Sequence, residues 1–141
     1  MRRAFTLAEL MLVLAVVAIL LGIAVPSLSR ALDQIELDAA AARVVAAHHR
    51  ARIMALTRGQ VLTLAVDSSR LSIAPHGGAA PLWQAAGPGA AGVRLAGSSR
   101  HFTFSPEGYT LGLSNASLLL TRGSSARTIV ISRLGRVRVL R

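Results

Sequence analysis

Glu9 is the residue whose chemistry most needs an explanation. It sits in Phe5-Thr6-Leu7-Ala8-Glu9-Leu10, at the head of a run that stays apolar to Val25. A carboxylate placed in hydrocarbon costs roughly 2.5–3.5 kcal/mol on insertion scales, so it calls for a cation or a route to water. The simpler alternative is that Glu9 lies near a helix end and snorkels to the interface. Thr6 is the other polar group in the first turn, and Arg2 and Arg3 precede it.

A second concentration of chemistry lies at the other terminus. Arg133, Arg136, Arg138 and Arg141 crowd the last hairpin, with Arg122 and Arg127 just upstream. In a strand, Arg136 and Arg138 share one face while Val137 and Val139 share the other. Two planar guanidinium forks at that spacing can straddle a DNA backbone. Charges on an exposed strand also prevent edge-to-edge pairing. Edge protection or a protein contact is the favoured reading, with DNA as the alternative.

No catalytic constellation is present. His48 and His49 are adjacent, so they point to different helix faces, and no carboxylate or cysteine stands at ligand spacing. His49 falls on an apolar stripe and reads as a core histidine, while His76 and His101 are isolated. No nucleophile elbow occurs. The Gly-rich stretch 87–92 lacks a following Lys-Ser or Lys-Thr, so it is not a phosphate loop. The expectation is a non-enzyme without metal or cofactor.

The elements that hold these residues follow from composition and period. A chain of 141 residues allows one membrane segment plus one small globular domain. It has no cysteine, which excludes a disulfide framework. The net charge is +10 and every basic side chain is Arg, a bias that codon composition alone can produce. Phe5 to Val25 is long enough to span a bilayer core of about 30 Å. Arg2 and Arg3 precede this span, and Arg30, Asp33, Glu36 and Asp38 follow it, a slightly acidic flank. That asymmetry places the N-terminus in the cytoplasm and the remainder outside. Gly22 and Pro26 are expected to kink or melt the helix, because Pro26 has no N–H and crowds the Gly22 carbonyl.

From Ser27 to Arg58 the pattern is helical, with Leu28, Leu32, Ile35, Ala39, Ala42, Ala46, His49, Ile53 and Leu56 as one apolar stripe. Gly59 supplies the stop. Strands are expected over 60–66, 71–74, 93–96, 101–105, 117–121, 127–132 and 136–140. Residues 75–92 read as a long irregular loop, pinned to the core by Trp83. Ser105-Pro106-Glu107-Gly108 is a turn signal.

Arg2-Arg3-Ala4-Phe5-Thr6-Leu7-Ala8-Glu9-Leu10 resembles the processing motif of type IV pilins and type II secretion pseudopilins. The resemblance implies cleavage by a prepilin peptidase between Ala4 and Phe5, and N-methylation of Phe5. The family pattern has Gly where this chain has Ala4. Glu9 would then face the Phe5 amine, in its own chain or in a staggered neighbour. Phe102-Thr103-Phe104-Ser105-Pro106-Glu107-Gly108 and the stretch from Arg127 to Val139 are similar to the GspH/FimT subfamily. The implied fold class is α+β: a long N-terminal helix packed on two small antiparallel sheets. The implied organisation is a leader at 1–4, a transmembrane assembly segment at 5–26, an amphipathic helical half at 27–59 and a β domain at 60–141. The implied role is a minor pseudopilin, held in the inner membrane with a periplasmic domain and assembled with other pseudopilins. The alternative is a minor type IV pilin that binds DNA through Arg133, Arg136 and Arg138.

Overall fold

The computed structural model describes residues 6–78, 80–112, 116–132 and 134–140. They form one long helix, α1 (Leu7–Arg58), nine strands and one 3-10 turn. The chain divides into two compact units, Met1–Leu32 and Asp33–Arg141.

In the first unit, described from Thr6 onward, every residue is exposed. This part of α1 carries the window that makes the helix apolar enough to cross a membrane, with a mean hydropathy of 2.8. Its start is capped: Thr6 Oγ1 accepts the Glu9 N–H at 3.2 Å, and Thr6 O accepts the Leu10 N–H at 3.2 Å. The Gly22–Pro26 step does not melt; α1 runs through it as helix. Pro26 removes the backbone bond to the Gly22 carbonyl, and two hydroxyls bond carbonyls further along the same stretch. Ser27 Oγ donates to Ala24 O at 2.8 Å, and Ser29 Oγ donates to Pro26 O at 3.1 Å.

The second unit holds the whole buried core. Strands β1 (Leu62–Val66), β2 (Arg70–Pro75), β3 (Trp83–Ala86), β5 (Arg100–Phe104) and β6 (Thr110–Leu111) form sheet A in the order β3-β2-β1-β5-β6. Strands β4 (Arg94–Leu95), β7 (Ala116–Arg122), β8 (Ser125–Ile131) and β9 (Val137–Leu140) form sheet B in the order β4-β7-β8-β9. All pairings are antiparallel. Alternation is visible in β1, where Leu62, Leu64 and Val66 are buried and the residues between are half-buried. The β1–β2 turn closes on Asp67, whose Oδ1 accepts from Ser69 N and Ser69 Oγ. Gly108 N donates to Ser105 O at 2.9 Å in the Ser-Pro-Glu-Gly turn. Gly59, at φ 61, ends α1 in the left-handed conformation that other residues resist.

Besides the Gly22–Pro26 step and the short strand β6, which no expected strand covers, two parts of the fold differ from expectation. The buried face of α1 is Leu37, Ala40, Ala41, Val44, Ala47, His48, Ala51 and Ala55, not the expected stripe. Ile35, His49, Ile53 and Leu56 are exposed. Small side chains win the contact because they let helix and sheet approach closely, and the sheets supply the bulk. The second difference is that 75–92 is not a bare loop. It contains β3, pairing Trp83 with Ile73 and Ala85 with Leu71, and a 3-10 turn at Pro88–Ala91.

The core histidine is therefore His48, with its side chain fully buried. Its ring lies edge-on to Phe104 at 5.0 Å and to Phe102 at 6.2 Å. Among the described residues neither ring nitrogen has a hydrogen-bond partner. Burial first, then the charges of His49 and Arg52, push its pKa down from 6.5 to about 4. The unfolded chain thus binds a proton more readily, and stability falls as pH drops from about 6.5 toward 4.

These contacts can be tested in solution. Between pH 7.5 and pH 5, the Asp33–Arg141 fragment should lose about 2 kcal/mol of urea-unfolding free energy through His48. His48→Leu should flatten that part of the profile; an unchanged profile would contradict the burial of a neutral ring. At the base of β3, a Cβ on Gly87 would stand 2.5 Å from Arg70 N and Ser68 O and 2.6 Å from Asp67 O. Gly87→Ala should cost about 1–3 kcal/mol in thermal unfolding.

Candidate functional site

The chemistry read from the sequence falls at two separate places. At the N-terminal one, Ala4 and Phe5 lie outside the described residues. Thr6 and Glu9 stand in the first turn of α1 as cap and third helical residue. The spacing Thr-x-x-Glu is that of a capping box, a signal present in the sequence beside the processing motif. A carboxylate in the first turn also sits favourably at the positive end of the helix dipole. These local roles do not neutralise it. Among the described residues Glu9 meets no cation, since the two ion pairs both lie in the second unit. Around it, Leu7, Leu10, Met11, Leu12 and Val13 are all exposed. Among the described residues the arrangement is an unpaired carboxylate on an apolar helical surface.

At the C-terminal place, the structure sorts the arginines. Arg122 Nε donates to Asp33 Oδ1 at 2.8 Å. Arg127 makes a two-pronged contact with Asp38, Nε to Oδ1 at 2.6 Å and Nη2 to Oδ2 at 3.2 Å. Both acids are on α1, 89 residues away in sequence. These two arginines therefore fasten sheet B to the helix and are not free for a ligand. Such long-range pairing leaves no local signal in the sequence.

Arg133 and Arg141 lie outside the described residues. Arg136 and Arg138 are exposed on the β8–β9 hairpin. Ser132 N donates to Arg136 O at 2.8 Å and Arg136 N donates to Ser132 Oγ at 3.2 Å, which fixes the turn. In β9, Val137 stands opposite Ile131 and Val139 opposite Ile129, on the face of those two buried residues. Arg138 is opposite Val130, so it and Arg136 share the other face. Among the described residues neither arginine has a carboxylate partner. β9 is the outer strand of its sheet, so the pair stands on an open edge.

The remaining candidates carry no chemistry of this kind. His76 Nδ1 shares a 3.2 Å hydrogen bond with Thr63 Oγ1 in an exposed position, and His101 is exposed. Among the described residues no group of three His, Cys, Asp or Glu could hold a metal ion.

Comparison with known proteins meets the same two regions. Residues 1–25 match the prokaryotic N-terminal methylation motif. Residues 40–135 match the family described as type II transport protein GspH. The pilin-like protein PilA1 of Thermus thermophilus is 35% identical over 158 aligned positions, covering 98% of each chain. The fold is that of the type IV minor pilin FimU of Pseudomonas aeruginosa. One crystal form superposes with a TM-score of 0.63 at 23% identity, covering 77% of this chain and 91% of that one. A second crystal form gives 0.60 at 20% identity, covering 74% and 93%. The protein is thus a pilin-like subunit with an N-terminal methylation motif, and it belongs to the GspH family.

Proposed function

We propose that the chain is a minor pseudopilin of a type II secretion system, held in the inner membrane and assembled at the tip of a pseudopilus. The observation that carries this reading is Glu9, an unpaired carboxylate on an apolar helix whose own chain supplies it no cation among the described residues. A prepilin peptidase cutting between Ala4 and Phe5 would leave a methylated, cationic amine on Phe5. Pairing Glu9 with that amine on a neighbouring pseudopilin satisfies both charges at one axial offset. Such a pair sets register more than it adds net stability. The name of the matched family, a type II transport protein, supports the choice of system. In this reading the N-terminus is cytoplasmic and the β domain periplasmic, as the arginines before the span and the acids after it suggest.

A second reading is favoured by one observation. Arg136 and Arg138 are exposed on an open edge and unpaired among the described residues, while the neighbouring Arg122 and Arg127 are engaged. A minor type IV pilin could place that pair on the phosphates of DNA during uptake. The names of the similar pilins support a pilus setting.

Glu9→Ala should insert in the membrane at normal levels and fail to co-purify with the other pseudopilins. Recovery at wild-type levels would contradict the pairing. Intact-mass measurement of the membrane form should show loss of residues 1–4 and gain of one methyl group on Phe5; an uncut chain would mean that Ala4 blocks processing. For the second reading, duplex DNA binding should weaken with salt at a log–log slope of about −2, one unit per arginine. Replacing Arg136 and Arg138 by Gln should abolish that slope; undiminished binding would assign the affinity to diffuse charge.

A further inference from the structure

Strand β3 is the outer strand of sheet A, and among the described residues nothing pairs with its far edge. Trp83 and Ala85 stand opposite Ile73 and Leu71 across the β2–β3 ladder, so they share the face of those core residues. On that face an apolar cleft of about 290 Å³ opens, floored by Ala46, Ala47 and Leu71 and walled by Trp83. Ala47 is buried and Ala46 exposed, so the cleft marks the strip of helix that the sheet stops short of covering.

The rim is cationic. Arg43 and Arg50 both line the cleft. The Arg50 guanidinium lies over the Trp83 ring at 5.1 Å, and Arg43 Nε donates to the Ala39 carbonyl of its own helix at 3.4 Å. Among the described residues neither meets a carboxylate. Gly87 N donates to Ser69 O at 3.0 Å. Antiparallel ladders alternate bonded and open pairs, which turns the Gln84 N–H toward the free edge.

We infer that this edge accepts an extended acidic peptide as an added strand, with a large apolar side chain in the cleft and carboxylates on Arg43 and Arg50. An open strand edge offers directional main-chain bonds, and a pocket beside it selects alternate side chains. Arg43 and Arg50 are two helical turns apart, about 10 Å. Same-face residues of a strand recur at about 6.7 Å. An apolar residue flanked two positions away on each side by Glu therefore brackets the cleft, and the long arginine side chains absorb the difference in spacing. Apolar contact and guanidinium–carboxylate pairing act together only if all three side chains share one face. The site uses neither Glu9 nor Arg136 and Arg138, so it stands apart from the choice between secretion and DNA uptake.

The chain has a single tryptophan, so its fluorescence reads this cleft directly. The full chain in detergent micelles is titrated with acetyl-Thr-Glu-Thr-Leu-Thr-Glu-Thr-amide. An isomer with Glu beside Leu, which splits them between faces, is the control. The alternating peptide should give a saturable emission change and bind roughly tenfold more tightly than the isomer, the scale of one charge-assisted contact. Arg43→Gln should weaken it by about the same factor. Gln84→Pro, which removes the outward amide and leaves the β2 ladder intact, should do likewise. Arg136→Gln should leave it unchanged. Equal binding of the two isomers, no effect of Arg43→Gln, or no saturable change at all would overturn the inference. So would a single-stranded oligonucleotide that shifts Trp83 emission more tightly than the peptide, which would assign the cleft to nucleic acid. Should Gln84→Pro lose its circular dichroism, the isomer and Arg43→Gln still decide.

Discussion

The smallness of one helix face is the constraint on which the globular unit depends. Ala40, Ala41, Ala47, Ala51 and Ala55 put almost nothing between the α1 backbone and the sheets. The sheets fill the space instead, with Leu62, Leu64, Leu71, Ile73, Phe102 and Phe104 from sheet A and Leu118, Leu120, Ile129 and Ile131 from sheet B. Close approach of this kind favours one rotation of the helix about its axis, because the neighbouring strips present Ile35, Ile53 and Leu56 or Arg43 and Arg50. It also sets where α1 offers acids to the sheets. Asp33 and Asp38 reach Arg122 and Arg127 from that rotation, and these partly exposed pairs position sheet B more than they stabilise it.

The same rotation decides what is left outside. Ile35, Ile53 and Leu56 remain exposed, and so does every described residue of the first unit. The fold of the globular unit uses none of this apolar surface. In the proposed filament it is covered by lipid before assembly and by neighbouring subunits afterwards. Under that proposal Glu9 has a defined part in assembly, because apolar surface is indifferent to axial position, whereas one buried charge is not. A single polar group that selects register at some cost in stability is the best-attested use of buried polarity.

Much of this was legible in the sequence where the signal is local. The Ser105–Gly108 turn carries its own chemistry and forms as expected. Strands such as Leu62–Val66 and Ser125–Ile131 follow from runs rich in β-branched and aliphatic residues, while their grouping into two antiparallel sheets was implied by the family resemblance. Strand β3 was missed because Trp-Gln-Ala-Ala amid Gly, Ala and Pro has neither alternation nor β-branched side chains; pairing with β2 makes it a strand. The helix face was misjudged because a hydrophobicity count ranks Ile53 above Ala51, while packing against a sheet ranks them the other way. His49 went with that error, and the buried histidine is its neighbour His48. Of the candidate site residues, Thr6 and Glu9 were singled out from their motif, and the structure adds the Thr6 cap on the Glu9 N–H. The division of the C-terminal arginines into engaged and free ones rests on partners 89 residues away.

The central claim is that Glu9 sets the offset between this subunit and a neighbour. The chain has no cysteine, which gives a clean background for trapping that contact. A cysteine at Leu10 is paired with one beside the N-terminal residue of a partner pseudopilin, and the assembled complex is oxidised in the membrane. A disulfide-linked pair should form in the chain that keeps Glu9 and be lost with Glu9→Ala. Cross-linking that persists at the same yield without Glu9 would contradict the account.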